Sequence, residues 1–307
     1  MDIAYFPKND QEAALFAQEF AAQGATCQLF KPTDVWLAYN GRITTGAGPQ
    51  LTLEDLERPS QDAPFSNFDL VFQRSVPSWT HTYGRDIVDF FFDVLYLTQD
   101  TTPVVNRPLA TLAARRKHLA AAILSRHGVP VPPYFASPNP IRNMKLTNIT
   151  PPPTIVKTLE GAGGLGVLLA PNTQVLGDIL SLFYKNQQIP LLQPYIPLAY
   201  DLRIFLLGDT VIGAIRRQGR IHKHNVSLGA TATYVPPTSL PPDIAEHSHT
   251  AAKALNLDIA GVDLLTPPEG PFVLEVNASP GFDALSRAAH QNIPRQIVSY
   301  LLRKAKT

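Results

Sequence analysis

Three oxygen-bearing side chains near the end of this 307-residue chain could together hold a hard metal ion. They lie in GVDLLTPPEGPFVLEVN (261–277), two apolar runs joined by the turn-rich link TPPEGP, a pattern that predicts a β-hairpin. Folded symmetrically, the hairpin sets Asp263 beside Glu275 at cross-strand contact distance. Alternation along the second strand puts Phe272, Leu274 and Val276 on one face and Val273, Glu275 and Asn277 on the other. Two carboxylates and an amide oxygen then converge. That donor set suits Mg2+, with water and substrate phosphates filling the remaining positions. Taken singly, either acid reads more simply as a sheet-edge residue in solvent or in an ion pair.

IVKTLEGAGGLGVLLA (155–170) places Lys157 near a strand end, followed by glycines at 161, 163, 164 and 166. Such a loop exposes backbone N–H groups and lets phosphate approach, because no Cβ stands in the way. A strand rather than a helix follows, which fits neither the P-loop nor the dinucleotide fingerprint and suits a flexible cover over a nucleotide triphosphate. A merely tight hairpin would need one or two glycines. In DLRIFLLGDTVIGAIRR (201–217), alternation puts Asp201, Arg203 and Phe205 on one strand face. The run IRRQGRIHKHN gathers Arg216, Arg217, Arg220, His222, Lys223 and His224, which reads as a solvated loop or as a grip on phosphate or a carboxylate substrate. Lys117, in AARRKHLAAAIL, reads on its own as part of a solvated helix face.

The elements that position these groups follow from periodicity. DIAYF (2–6), QEAALFAQEFAAQG (11–24, capped by Gly24), ATCQLF (25–30), DVWLAYNGRI (34–43, a strand into an Asn-Gly turn) and FDLVFQRS (68–75) predict a small parallel α/β lobe. Helices are expected at 84–98 and over 108–128, the second stopped by Gly128. Beyond the proline-rich connector VPVPPY come strand, glycine loop and strand (153–170), the helix TQVLGDILSLFYKN, and the strand IPLLQPYI. A hairpin turning at Gly208-Asp209, the helix PDIAEHSHTAAKALN, the acidic hairpin and a terminal helix near 290–304 complete the chain.

Composition removes several classes of function. A net charge of +1 argues against nucleic acid and against an anionic membrane surface. The basic run also lacks the interleaved aromatics of a single-strand platform. The one cysteine, Cys27, excludes an internal disulfide framework, fits a reducing compartment and reads as a buried structural residue. The N-terminus shows no secretory signal, and IVDFFFDVLYL holds two aspartates and is too short to span a bilayer, so a cytoplasmic location is expected. Prolines number 29 of 307, about 9% against a usual ~5%, and cluster in short stiff connectors.

From about Asn106 onward the sequence resembles the ATP-grasp superfamily, most closely its RimK-like branch of carboxylate–amine ligases. DIAGVDLL, GPFVLEVNASPG, DLRIFLLGDTVIGAIRR and IVKTLEGAGGLGV carry the resemblance; the first hundred residues share only the α/β pattern. It implies an α/β (α+β) fold: an N-terminal lobe over 1–105, a central lobe with a glycine flap over 106–192, and an antiparallel-sheet lobe over 193–307, with nucleotide sandwiched between the last two. It assigns Lys117, Lys157, Glu160 and the loop glycines Gly161, Gly163, Gly164 and Gly166 to the ATP phosphates. Gln193, Pro194 and Tyr195 would line the adenine pocket, and Asp201 the ribose region. Asp263, Glu275 and Asn277 would hold two Mg2+ ions, with Mn2+ as a substitute. Arg203 and Arg217 would steady the transferred phosphoryl group, and Lys223, Asn225, Ser279 and Gly281 would face substrate. Ala162, where relatives carry Ser or Thr, and Pro194, where they carry an acid, each remove one contact to the nucleotide.

The implied reaction is ATP-dependent amide formation through an acyl phosphate, joining a small-molecule, peptide or protein carboxylate to an amino acid. The resemblance also implies a homo-oligomer, dimer or tetramer. The basic loop favours an acidic substrate. A phosphotransferase acting on a hydroxyl would share the nucleotide site, and a non-catalytic nucleotide-binding regulator would have lost a metal ligand, which this sequence keeps.

Overall fold

The computed structural model describes residues 1–37, 43–45, 65, 67–74, 82–140, 151–161, 166–219 and 229–306. By compactness the chain divides into two units. One comprises Met1–Leu112, Leu257–Ile259 and Gln291–Thr307, and the other Ala113–Asn256 and Ala260–His290. Residues 291–307 thus belong with the N-terminal part of the chain in this division.

In the first unit, short apolar runs form the parallel strands β1 (Asp2–Phe6), β2 (Thr26–Leu29), β5 (Leu70–Gln73) and β6 (Val104–Val105), in the order β2-β1-β5-β6. Helix α1 (Asp10–Ala22) starts at Asn9, whose side chain accepts from the Glu12 N–H at 2.9 Å. This capping contact satisfies one of the orphan donors of the first turn. Gly24 follows the helix at φ +75°, as its sequence position predicts. Phe16 of α1 meets Tyr5 and Phe72 edge-on, with centroids 5.5 and 5.4 Å apart, and Tyr5 stacks on Phe72 at 5.1 Å. On another cluster of this unit, Phe6, Phe30, Val71 and Val104 pack with Val88, Phe91, Phe92 and Leu95 of helix α2 (Arg85–Thr98). Each such buried side chain contributes about 1.5–3 kcal/mol. Strands β3 (Val35–Leu37) and β4 (Ile43–Thr45) pair antiparallel; the Asn-Gly turn expected between them lies outside the described residues. Cys27 is half-buried rather than buried, because β2 edges the sheet; burial still pushes its thiol up to about 12.

The long helix expected over 108–128 is two helices, α3 (Pro108–Arg115) and α4 (Lys117–Arg126). Arg116 breaks them with extended backbone (φ −89°, ψ 93°), and the Lys117 N–H donates to the Leu159 carbonyl at 2.9 Å. A long-range backbone contact overrides a continuous helical pattern here. Gly128, at φ +74°, then closes α4 as expected.

Among the described residues the second unit carries two sheets. The first, β7-β10-β8-β9, is antiparallel and joins β7 (Phe135–Ala136), β8 (Thr154–Thr158), β9 (Val167–Ala170) and β10 (Pro190–Pro194). Val156, Ala170 and Leu192 on one face pack against Leu176, Leu180 and Phe183 of helix α5 (Thr173–Lys185). The second runs β13-β12-β11-β14-β15, from β11 (Asp201–Leu207), β12 (Thr210–Gln218), β13 (Thr231–Val235), β14 (Ile259–Leu265) and β15 (Phe272–Asn277). The β11–β12 hairpin turns at Gly208-Asp209 as the sequence predicts. Helices α6 (Pro242–Ala254) and α7 (Asp283–Ala289) belong to this unit, whereas α8 (Ile293–Lys304) belongs to the first.

Candidate active site

On β8, alternation sends Val156 toward α5 and leaves Ile155 and Lys157 on the opposite face. Register fixes their neighbours: Ile155 lies opposite Leu169 and Gln193, and Lys157 opposite Val167 and Leu191. The face is therefore an apolar floor with one ammonium at its end and the buried Gln193 amide at its side. Pro194 and Tyr195 continue from Gln193, and the Tyr195 N–H donates to the Pro153 carbonyl at 3.0 Å. The floor residues were not singled out from sequence; the period-2 pattern through TIVKT was the available signal.

The hairpin that carries the glycine loop is pinned at its base. The Thr158 N–H donates to the Gly166 carbonyl at 3.0 Å, and Thr158 Oγ1 donates to the Glu160 carbonyl at 2.6 Å. Gly166 stands at φ +71°, and a Cβ there would lie 2.5 Å from Thr158 Oγ1, so both space and backbone demand glycine. Lys117 Nζ donates to the Gly161 carbonyl at 2.8 Å, which brings the first residue of α4 to the loop. Glu160 lies 3.7 Å from Arg116. Gly163, Gly164, Ala162, Lys223 and Asn225 lie outside the described residues.

The acidic hairpin forms in the expected register, with Asp263 opposite Glu275 and Gly261 opposite Asn277. A shift after Asp263 pairs Leu264 with Val273, which leaves Leu274 as an extra residue on β15. The expected alternation is corrected by this bulge: Val273 and Val276 are the buried residues, while Phe272 and Leu274 are only partly covered. Glu275 and Asn277 nonetheless share a side, with Asn277 Nδ2 3.4 Å from Glu275 Oε1. Gly261 makes room for the turn that follows, since a Cβ there would stand 2.6 Å from Pro280 Cβ and 3.8 Å from Arg203 Cδ. In that turn the Ser279 hydroxyl is buried with no hydrogen-bond partner among the described residues, and Gly281 is exposed.

Two arginines grip Asp263. Arg203 donates from Nε and Nη2 to its two oxygens, both at 2.6 Å, and Arg217 Nη2 stands 3.0 Å from Oδ2. Arg217 also makes a two-pronged pair with Asp201 at 2.7 Å, its register partner on β11. Arg203 Nη2 lies 3.8 Å from Glu275 Oε1. Burial pushes the Asp263 carboxyl up, but the two guanidinium groups outweigh it and hold the group down to about 2. Burial, with the neighbouring Asp263 adding to it, pushes Asp201 up to about 6 against the pull of Arg217 and, behind it, Arg203. Arg217 is held above its ordinary value because two carboxylates outweigh its burial.

The lysines complete the electrostatics. Burial pulls Lys157 down to about 8, with Glu275 and Asp263 opposing and Lys117 adding to the fall. Burial also lowers Lys117, again with Glu275 opposing. Glu275 thus acts on both lysines, so the ammonium groups and the carboxylate pair share one site. His118, next to Lys117, keeps a buried Nδ1 without a hydrogen-bond partner among the described residues, and burial lowers its pKa.

No group of three His, Cys, Asp or Glu side chains is placed to hold a metal among the described residues. The donor set here is two carboxylates and an amide, all hard oxygen, and Glu275 retains 30% exposure of its side chain. That chemistry fits Mg2+ rather than a soft transition metal. No helix among the described residues is long and apolar enough to cross a membrane.

Comparison with solved structures defines the class. Across its whole length the chain is similar to the ATP-grasp ligase PsnB complexed with a minimal precursor, at a TM-score of 0.71 and 19% identity, covering 100% of this chain and 98% of that one. It is also similar to the macrocyclase MdnC bound with precursor peptide MdnA from Microcystis aeruginosa, at a TM-score of 0.69 and 16% identity, covering 99% and 100%. The fold is therefore the ATP-grasp fold, with mixed parallel and antiparallel sheets as expected. Sequence comparison narrows the class. A probable alpha-L-glutamate ligase of Legionella pneumophila (strain Corby) is 31% identical over 250 residues, covering 80% of this chain and 79% of that protein. One from Pseudoalteromonas translucida is 34% identical over 209 residues, covering 66% and 68%. Residues 114–301 match the RimK-like ATP-grasp domain, and the chain belongs to that family. It is an ATP-dependent ligase, and the expectation of carboxylate–amine ligation stands at that level.

Proposed function

We propose that the protein joins an amino acid, glutamate first among the candidates, to a carboxylate of an acidic peptide, protein or small molecule through an acyl phosphate. The observation that carries this reading is that Glu275 acts electrostatically on both Lys117 and Lys157, while Asp263 opposite it on the hairpin is held by Arg203. Glutamate is favoured because the relatives that cover most of the chain are named alpha-L-glutamate ligases.

In this reading the base lies on the Ile155–Leu169 floor, with Gln193, Pro194 and Tyr195 along its edge. Lys157 and Lys117 meet the phosphates beneath the glycine loop, whose base Gly161 and Gly166 form, with Glu160 beside it. Asp263, Glu275 and Asn277 would hold Mg2+, two ions in the full complex, and bound there the metal neutralises phosphate charge. A carboxylate oxygen of the substrate attacks the γ-phosphorus, and the bond to the bridging oxygen breaks, with its electron pair leaving on ADP. The amine nitrogen then attacks the acyl carbon, a proton is released and phosphate departs. Phosphoryl transfer asks mainly for positioning and charge stabilisation, which Arg203 and the two lysines provide. Arg217 and Asp201 are positioning residues, because Arg217 is only 3% exposed and clamped between two acids. Ser279 and Gly281 line the acceptor side in this reading; Lys223 and Asn225, expected to face substrate, lie outside the described residues.

The test is ADP release against panels of carboxylates and amino acids, with the product identified by mass spectrometry. An amide product is expected. A phosphorylated product would move the protein to the phosphotransferases, and absence of turnover with every pair in protein that binds Mg-ATP would remove the ligation assigned here.

A further inference from the structure

The guanidinium of Arg203 lies between the two carboxylates assigned above to the metal. It donates to both oxygens of Asp263 at 2.6 Å and stands 3.8 Å from Glu275 Oε1. Asp263 is 2% exposed, and Arg217 approaches its Oδ2 at 3.0 Å as well. The two arginines bring two positive charges onto Asp263, and one of them also faces Glu275. A buried carboxylate cannot stay charged without such compensation, and a divalent ion would have to enter a site whose anions are already neutralised.

We propose that Arg203 is the resident counter-ion of the metal site, so that divalent cations are excluded until nucleotide arrives and draws Arg203 away from Asp263. This rests on the assignment of Asp263, Glu275 and Asn277 as metal ligands. The two arginines differ in freedom. Arg217 is held by Asp201 through a second two-pronged pair and is 3% exposed. Among the described residues Arg203 has no comparable second anchor, only the 3.8 Å approach to Glu275, and it is 15% exposed. When nucleotide phosphates supply new anions, Arg203 is therefore the side chain that moves to them, and Asp263 regains lone pairs for the ion. The physical consequence is an order of binding: nucleotide brings its metal, and the empty protein holds none. Arg203 has two tasks in this scheme, guarding the carboxylates before ATP binds and meeting the transferred phosphoryl group afterwards.

Mn2+ binding followed by electron paramagnetic resonance reads this directly, without turnover. Wild-type protein is compared with Arg203→Met, Arg203→Gln and Arg203→Lys, each with and without ADP. Without nucleotide, the Met and Gln variants are expected to bind Mn2+ at least tenfold more tightly than wild type, and the Lys variant to stay within about threefold of it, because the charge is kept. Equal nucleotide-free affinity in wild type and the neutral variants overturns the proposal. Should the neutral variants fail to fold, the wild type still decides: Mn2+ binding as tight without ADP as with it also overturns it. Glu275→Gln with ADP present separates the two claims. If that change leaves Mn2+ affinity intact, the metal assignment itself is wrong; if it weakens Mn2+ binding while Arg203 variants behave as wild type, only the counter-ion role fails.

Discussion

Each unit of this protein buries an arginine against a carboxylate, and the two pairs are built to different ends. In the first unit Arg74, 1% exposed, meets both oxygens of Glu12 at 3.1 Å. Glu12 also accepts from the Tyr5 hydroxyl at 3.0 Å and from the Lys8 N–H at 3.2 Å. Among the described residues, one cation and two neutral donors meet this one anion, and together they tie α1 to β1 and to the end of β5. In the second unit the arrangement is open-ended. Arg203 and Arg217 share Asp263, Arg217 also holds Asp201, and Glu275 stands beside them with two lysines within electrostatic reach. Charge is concentrated there rather than closed off. The comparison teaches that a buried ion pair is a poor sign of function by itself, whereas a buried pair with neighbouring charges of both signs and partial exposure marks a site.

The sharpest way to break the contrast is to remove one partner from each set. Arg74→Ala should cost about 3–5 kcal/mol of stability, because it leaves Glu12 charged and buried, and denaturant unfolding will show it. Glu275→Ala should do the reverse. Its thermal midpoint should stay near that of wild type, while ADP formation falls by at least about a hundredfold, on the scale of a lost electrostatic partner. If Glu275→Ala keeps its activity, the contrast between the two regions collapses.

Gly166→Ala is a smaller perturbation, placed between fold and site. A left-handed backbone costs a side chain about 1–2 kcal/mol, and the clash with Thr158 Oγ1 adds to it. The hairpin base should loosen, and nucleotide affinity should fall more than global stability does, as paired ADP titration and unfolding experiments would show.

The smallest effect is a pH dependence that belongs to the second unit alone. The folded pKa of Lys157 is lowered to about 8, so the ammonium that would meet phosphate is lost as pH rises past that value. ADP affinity should therefore weaken by up to about tenfold between pH 7 and pH 9, and Lys157→Met should flatten the slope. The effect on stability has the opposite sign: between about pH 8 and 10.5 the unfolded chain still binds the proton that the folded lysine has lost, so this residue makes stability rise with pH there.

Much of this site was legible because strand pairing is a local rule. The link TPPEGP and the flanking apolar runs placed Asp263 opposite Glu275, and the four glycines between two strands marked the loop. The extra residue at Leu274 was not legible, since nothing in FVLEVN breaks the alternation; the bulge is a property of the pairing with β14. The break at Arg116 was missed for a similar reason, as it answers to the Leu159 carbonyl, some forty residues away in the chain. Strand β13, TATYV, went unread because its half-exposed edge carries no apolar run, and β7 was hidden in a proline-rich connector. Pairings among charges were the least visible. Alternation put Asp201 and Arg203 on one face, yet only register shows that Arg217 lies opposite Asp201, and only the folded sheet shows both arginines on Asp263.

The central claim is that this charged face activates a carboxylate as an acyl phosphate. Once a substrate pair is in hand, the most direct measurement uses substrate whose carboxylate carries 18O and analyses the released phosphate by mass spectrometry. One labelled oxygen should appear in the phosphate for each amide formed, because the acyl C–O bond breaks on the carbon side. Amide formation with unlabelled phosphate would contradict the account.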